Sequence, residues 1–224
     1  FSTDVSSTLT FSYGYWNATN TVYTAVYNVA SASTQYAANV GVTVPVDFTS
    51  AAGVQLSSAH NANNVFTIDR AVPTVTSVSS TASDGTYGIG DSINVRITFS
   101  EPVTFTPNSG SMQIELETGT NDRFATSNSS QADTTILYLT YTVQEDDVSS
   151  DLDYTTTDAF SLLNGATIKD AAGNDALLTL PTVGGASSLA GQKAIVIDGV
   201  RPTVSSIVKQ TPATQKTNAN TITW

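Results

Sequence analysis

The chain has 224 residues, 40% of them hydrophobic and only 12% charged, with a formal net charge of −11 at pH 7. Its eight basic residues argue against a nucleic-acid partner, which needs clustered Lys and Arg, and against direct membrane insertion or docking on an anionic surface. There is no run of 18 apolar residues to span a bilayer and no cysteine to form a disulfide.

Read in chain order, Tyr13, Tyr15 and Trp16 form the first notable cluster. Alternate aromatics on a strand serve core and cross-strand packing, or, when exposed, a ligand-binding platform for a sugar. His60, the only histidine, lies among Asn61, Asn63 and Asn64 in a predicted turn, too isolated for a catalytic triad or a zinc site. From Asp69 onward, alternating apolar positions predict strands over 74–79, 92–99, 112–116, 134–143, 166–169 and 193–197. Within 92–99, Ile93, Val95, Ile97 and Phe99 are expected to face inward, with Asn94, Arg96 and Thr98 outward. Turn chemistry separates the strands at Asp84-Gly85, Gly88-Ile89-Gly90-Asp91, Pro107-Asn108-Ser109-Gly110 and Ala172-Gly173-Asn174. The segment 151–163 has room for one helical turn. Glu115 and Glu117 share one face of a strand, opposite its apolar face, as solvated surface rather than a glycosidase pair. Several short strands with turns between them predict an all-β protein of sandwiches with about seven strands in a Greek key.

The chain also repeats itself. Ile68-Asp69-Arg70-Ala71-Val72-Pro73-Thr74-Val75 matches Ile197-Asp198-Gly199-Val200-Arg201-Pro202-Thr203-Val204 at a spacing of 129 positions, and the register holds to Trp224. A second pair matches Thr21 to Val29 with Thr135 to Val143. The expected division is therefore 1–69, the back of one repeat; 70–198, a whole repeat; and 199–224, the front of a third. The sequence opens at Phe1 on strand-like residues and reads as an internal stretch of something longer.

Four motifs in the middle repeat carry a family likeness: Asp84-Gly85-Thr86-Tyr87-Gly88-Ile89-Gly90-Asp91, then Phe99-Ser100-Glu101-Pro102-Val103, then Lys169-Asp170-Ala171-Ala172-Gly173-Asn174, and then the Ile197-Asp198 to Pro202-Thr203-Val204 segment. In this order they resemble the bacterial immunoglobulin-like (cadherin-like) tandem repeats of giant surface adhesins. The resemblance implies a secreted, cell-surface protein of stacked domains, partnered by its own neighbouring repeats, with no particular ligand. The first piece departs from the pattern, with Asp47 and Val54 around Ala51-Ala52-Gly53, and the third has Asn220 in the place of Asp91.

Chemistry is expected at the domain junction. In a sandwich, the loop after the second strand, carrying Glu101, and the loop before the last strand, carrying Asp170 and Asn174, return to the end at which Asp69 enters. Hard oxygen ligands gathered in this way suit calcium, which takes six to eight of them in irregular geometry; the alternative is a tight turn and a strand-end acid with no ion. A second acidic group, Glu145, Asp146, Asp147, Asp151 and Asp153, is expected at the opposite end near Asp84 and Asp91, either as another cation site or as a solvated run. The leading expectation is a non-catalytic spacer. The alternatives are a carbohydrate- or protein-binding module using Tyr13, Tyr15 and Trp16, and a subunit that self-associates by strand complementation.

Overall fold

A computed structural model describes residues 9–16, 18, 23–29, 36–44 and 60–208. The protein is all-β among these residues, with fourteen strands and one helical turn. In the first piece, β1 (Leu9–Trp16) pairs antiparallel with β2 (Tyr23–Val29), and β3 (Tyr36–Val44) with β4 (His60–Asp69). His60 thus begins a strand opposite Val44 and is not in a turn. The Asp47 to Val54 segment, Asn220 and the terminal match at Trp224 lie outside the described residues.

Between 70 and 198 the chain forms ten strands: β5 (Val75–Ser80), β6 (Gly85–Gly88), β7 (Ser92–Thr106), β8 (Ser111–Leu116), β9 (Arg123–Ser127), β10 (Gln131–Thr142), β11 (Val148–Ser149), β12 (Phe160–Leu163), β13 (Thr167–Lys169) and β14 (Ile195–Asp198). The number exceeds the expected seven through the short strands β6, β9, β11 and β12, of two to five residues, which the sequence pattern did not single out. Seven strands form an antiparallel sheet in the order β12-β8-β9-β10-β7-β13, with β5 also on β7. The other three form a sheet in the order β11-β14-β6, in which β14 runs parallel to β6.

β7 organises the larger sheet. On one edge it pairs with β10; on the other it takes β5 along its first half and β13 along its second. Its alternation is the one expected, with Ile93, Val95, Ile97 and Phe99 buried and Val103 and Phe105 continuing the series. Leu137, Leu139 and Tyr141 of β10 and Met112, Ile114 and Leu116 of β8 face the same core, which Ile195 and Ile197 of β14 complete. The strand does not end at Phe99. Thr98 pairs with Ile136 but the next pairing is Val103 with Thr134, so residues 99–102 stand opposite a single residue of β10. Pro102, which has no N–H to give to the ladder, sits in this bulge, where a strand tolerates proline.

The helical turn falls at α1 (Leu189–Gln192), capped by Ser188, and not in 151–163. The latter segment runs beside β8 at Asp153 to Thr155, turns at 156–159 and continues into β12. Glu117 N–H donates to Asp153 O at 2.9 Å and Thr155 N–H to Glu115 O at 3.2 Å.

Candidate cation site

Asp69, Glu101 and Asp170 each offer a carboxylate oxygen, and the three oxygens lie within 4.8 Å of one another. They are the only such group of three among the described residues. Three separate elements deliver them. Asp69 is the last residue of β4, and its Oδ1 accepts from Ala71 N–H at 3.1 Å, which turns the chain into the next repeat. Glu101 projects from the bulge of β7, a strand position and not the loop expected from the sequence. Asp170 follows β13 in a tight loop that Gly173 closes at a φ of 93°, a conformation glycine adopts without strain.

Asn174 ties the group together. Its N–H donates to Asp170 Oδ1 at 2.8 Å, and its amide Nδ2 donates to Asp170 Oδ2 at 2.7 Å and to the Asp69 carbonyl at 3.2 Å. That last bond crosses 105 residues and fixes the end of β4 to the loop after β13. All four residues expected at this junction are therefore brought together.

None of the three carboxylates takes part in an ion pair among the described residues. Burial, reinforced by the negative charges of Asp69 and Asp170, raises the Glu101 carboxyl above the ordinary glutamate range. The three carboxylates form an all-oxygen donor set of the kind that suits a hard cation; Asn174, which meets Asp170 and the Asp69 carbonyl through its Nδ2, would add an oxygen only with its amide turned over. A cation there would counter the repulsion from Asp69 and Asp170 that adds to the effect of burial on Glu101.

The second acidic group is not assembled in this way. Asp147 is buried and fully occupied by protein donors. Arg123 Nε reaches its Oδ1 at 2.8 Å, while Tyr141 Oη and Gln144 N–H reach its Oδ2 at 2.7 and 2.8 Å. Asp153 is also buried, and accepts from the N–H groups of Tyr154, Gly184 and Leu189. Asp84 accepts from Ala194 N–H and Asp91 from Gly88 N–H. Asp146 and Asp151 are exposed. The acids that looked like a solvated or ion-binding run are in part internal braces, because backbone N–H groups at turns need acceptors as much as cations do.

In the first piece, Tyr13 and Tyr15 are 56% and 53% exposed and stack with ring centroids 6.2 Å apart. A bulge between Phe11 and Tyr13 sets them opposite Val26 and Thr24. Trp16 pairs with Tyr23 in the ladder.

No family model, curated protein or solved structure matches the chain.

Proposed function

We propose that the chain is a run of immunoglobulin-like spacer repeats from an extracellular, cell-surface protein of the bacterial adhesin or filament type, stiffened by calcium at its junctions and without catalytic activity. The observation that carries this reading is the carboxylate trio spanning a repeat border, with Asp69 contributed by one repeat and Glu101 and Asp170 by the next.

The two borders also share local geometry. Asp198 closes β14 as Asp69 closes β4, and its Oδ1 accepts from Val200 N–H as that of Asp69 does from Ala71 N–H. Each of these closing strands ends on an antiparallel partner, Asp69 opposite Tyr36 and Asp198 opposite Val148. The parallel β6–β14 pair and the two packed sheets favour a sandwich of the immunoglobulin kind. No helix among the described residues is long and apolar enough to cross a membrane. A rigid spacer needs its hinge restricted, and proline does this at Pro73 and Pro202.

The reading predicts opposite responses from one substitution. Glu101→Gln removes the repulsion felt by Asp69 and Asp170, so the melting temperature in chelator is expected to rise. The same change removes a ligand, so stabilisation by calcium is expected to vanish. In the unaltered chain, calcium at a hundredfold excess over its dissociation constant is expected to add about 2.7 kcal/mol. Thermal melts of both chains, with calcium and with chelator, test this. Identical melts of the unaltered chain in the two conditions would remove calcium from the reading and leave only a spacer braced by hydrogen bonds.

A second reading rests on the exposed Tyr13–Tyr15 stack, which is the form a sugar platform takes. Screening against immobilised glycans is expected to show binding that Tyr13→Ala and Tyr15→Ala both abolish if this face is adhesive. Unchanged binding in both variants, or none at all, would reduce it to surface packing.

A further inference from the structure

The segment that follows β14 is held by backbone bonds. Gly199 is buried, although its neighbours Asp198 and Val200 are exposed. Its N–H donates to the Asp147 carbonyl at 2.7 Å, and its own carbonyl accepts from Asp146 N–H at 3.1 Å. These two bonds carry the β11–β14 ladder one step past Asp198, with two residues of the 144–147 loop against one residue of the linker. Asp146 stands at a φ of 69°, a conformation that aspartate reaches more readily than most residues.

The position has no room for a side chain. A Cβ on residue 199 would run into the Gln144 carbonyl oxygen, and would stand 2.8 Å from Asp147 O and 2.9 Å from Asp147 N. All three are backbone atoms, which cannot rotate aside, so the close approach requires glycine. The loop that forms the pocket is itself anchored, since Arg123, Tyr141 and the Gln144 N–H all hold the Asp147 carboxylate. The exposed Arg201–Glu145 pair, at 2.8 Å, spans the same loop and linker and adds little by itself. At the offset of 129 positions, the counterpart of Gly199 is Arg70, which carries the Cβ that this geometry excludes. The two linkers are alike in Asp69 and Asp198 and in Pro73 and Pro202, and they differ at the residue that closes this contact.

We propose that Gly199 is the positioning residue of a cation-independent clamp, which fixes the direction in which the chain leaves residues 70–198. The linker cannot swing without breaking both bonds to the loop, and the loop cannot follow it without pulling Asp147 out of its buried network. No carboxylate of the Asp69, Glu101 and Asp170 group takes part, so a chelator leaves the clamp shut. The inference rests on the spacer reading for the use of a fixed direction, while its geometry owes nothing to calcium. The calcium melts of the Glu101 variant and the measurements on Gly199 can therefore fail separately.

The chain has no cysteine, so Thr126→Cys and Thr203→Cys introduce two unique sites for spin labels, one on exposed β9 and one just past Pro202. The distance distribution between the labels is expected to be equally narrow in calcium and in chelator, and at least about twofold broader once Gly199→Ala is added. Amide hydrogen exchange at Gly199 of the unaltered chain in chelator is expected to be at least about tenfold slower than in an unstructured peptide. In the Gly199→Ala chain, Asp146 N–H is expected to exchange freely while β7 keeps its original rate. Equal widths with and without Gly199→Ala overturn the proposal, and so does a distribution that is narrow only in calcium. If Gly199→Ala loosens β7 as well, the unaltered chain decides: free exchange at Gly199 in chelator overturns the clamp, and protection there upholds it.

Discussion

Replacing Asp147 by alanine is expected to cost about 3 kcal/mol, the low end of the range for removing one partner of a buried ion pair, since Arg123 keeps 27% of its side chain exposed. The Asp147 side chain is 1% exposed and its carboxylate has no water to fall back on. Its loss strands Arg123 Nε, the Tyr141 hydroxyl and the Gln144 N–H together. Since a domain has only about 5–15 kcal/mol of stability in all, one substitution is expected to remove a large part of it. Urea denaturation, read as the midpoint at constant slope, measures the loss. Asp147→Asn keeps the shape and one acceptor and is expected to lose clearly less. A pair of indistinguishable midpoints for the alanine variant and the unaltered chain would show that the network contributes nothing net.

The same carboxylate sets a pH dependence. Burial alone pushes its pKa up and is the largest single influence. The bonds from Tyr141, Arg123 and Gln144, with the Arg123 charge, together outweigh it, so the folded value lies below the ordinary aspartate range. A depressed folded value means that the stabilisation is complete above the unfolded pKa of about 4 and is lost as the pH falls through the folded one. Glu101 works the other way. Its raised folded value costs stability at neutral pH, and the cost disappears on acidification. Tyr141, raised by burial first and then by its bond to Asp147, stays protonated and keeps donating throughout.

Asp153→Ala is the second large effect expected. One carboxylate serves three backbone donors on two distant segments: its own neighbour Tyr154, Gly184, and Leu189 at the start of α1. A buried donor left unsatisfied costs about 1–3 kcal/mol, and water can reach the Gly184 N–H more readily than the other two, so the expected loss is about 3 kcal/mol. The damage is expected to be local. The 182–192 segment rests on β5 through Ser187 O, which accepts from Val78 N–H at 2.9 Å, and it loses its second anchor when Asp153 goes. Hydrogen exchange faster across 184–192 than across β7 supports the assignment. Uniform acceleration throughout the repeat would mean that this segment and the sheet open as one unit. Calcium is expected to change neither the Asp147 nor the Asp153 result.

Much of this architecture was legible in the sequence, for a physical reason. Strands that bury one face must alternate, so β5, β7, β8, β10, β13 and β14 all showed through. The four junction residues were legible too, since a repeat border, an acid before a proline and an Asp-Ala-Ala-Gly-Asn turn must meet if the chain folds back on itself. Three things were hidden. A continuous β7 could not be told from a strand ending at Phe99, because bulging around Pro102 preserves an interrupted alternation. The short strands β6 and β11 are defined by their partner β14, a contact between residues about fifty to a hundred and ten apart that no local pattern encodes. The roles of Asp147 and Asp153 depend on which backbone N–H groups face inward, and this is fixed only once the loops have closed. Five acids within nine residues signal charge, and the structure divides them into two braces and three surface groups.

The parallel pairing of β6 with β14 has a mechanical consequence. β6 lies toward the N-terminal side of the middle repeat and β14 leads out of it, and both run in the same direction. Tension along the chain that has passed β5 pulls the start of β6 one way and the end of β14 the other, parallel to their common axis. The four residue pairs from Gly85–Ile195 to Gly88–Asp198 are then loaded in shear and share the force at once. A pair pulled open from one end would instead release its bonds in sequence. Under such a load the β6–β14 pair is expected to yield late and as a unit.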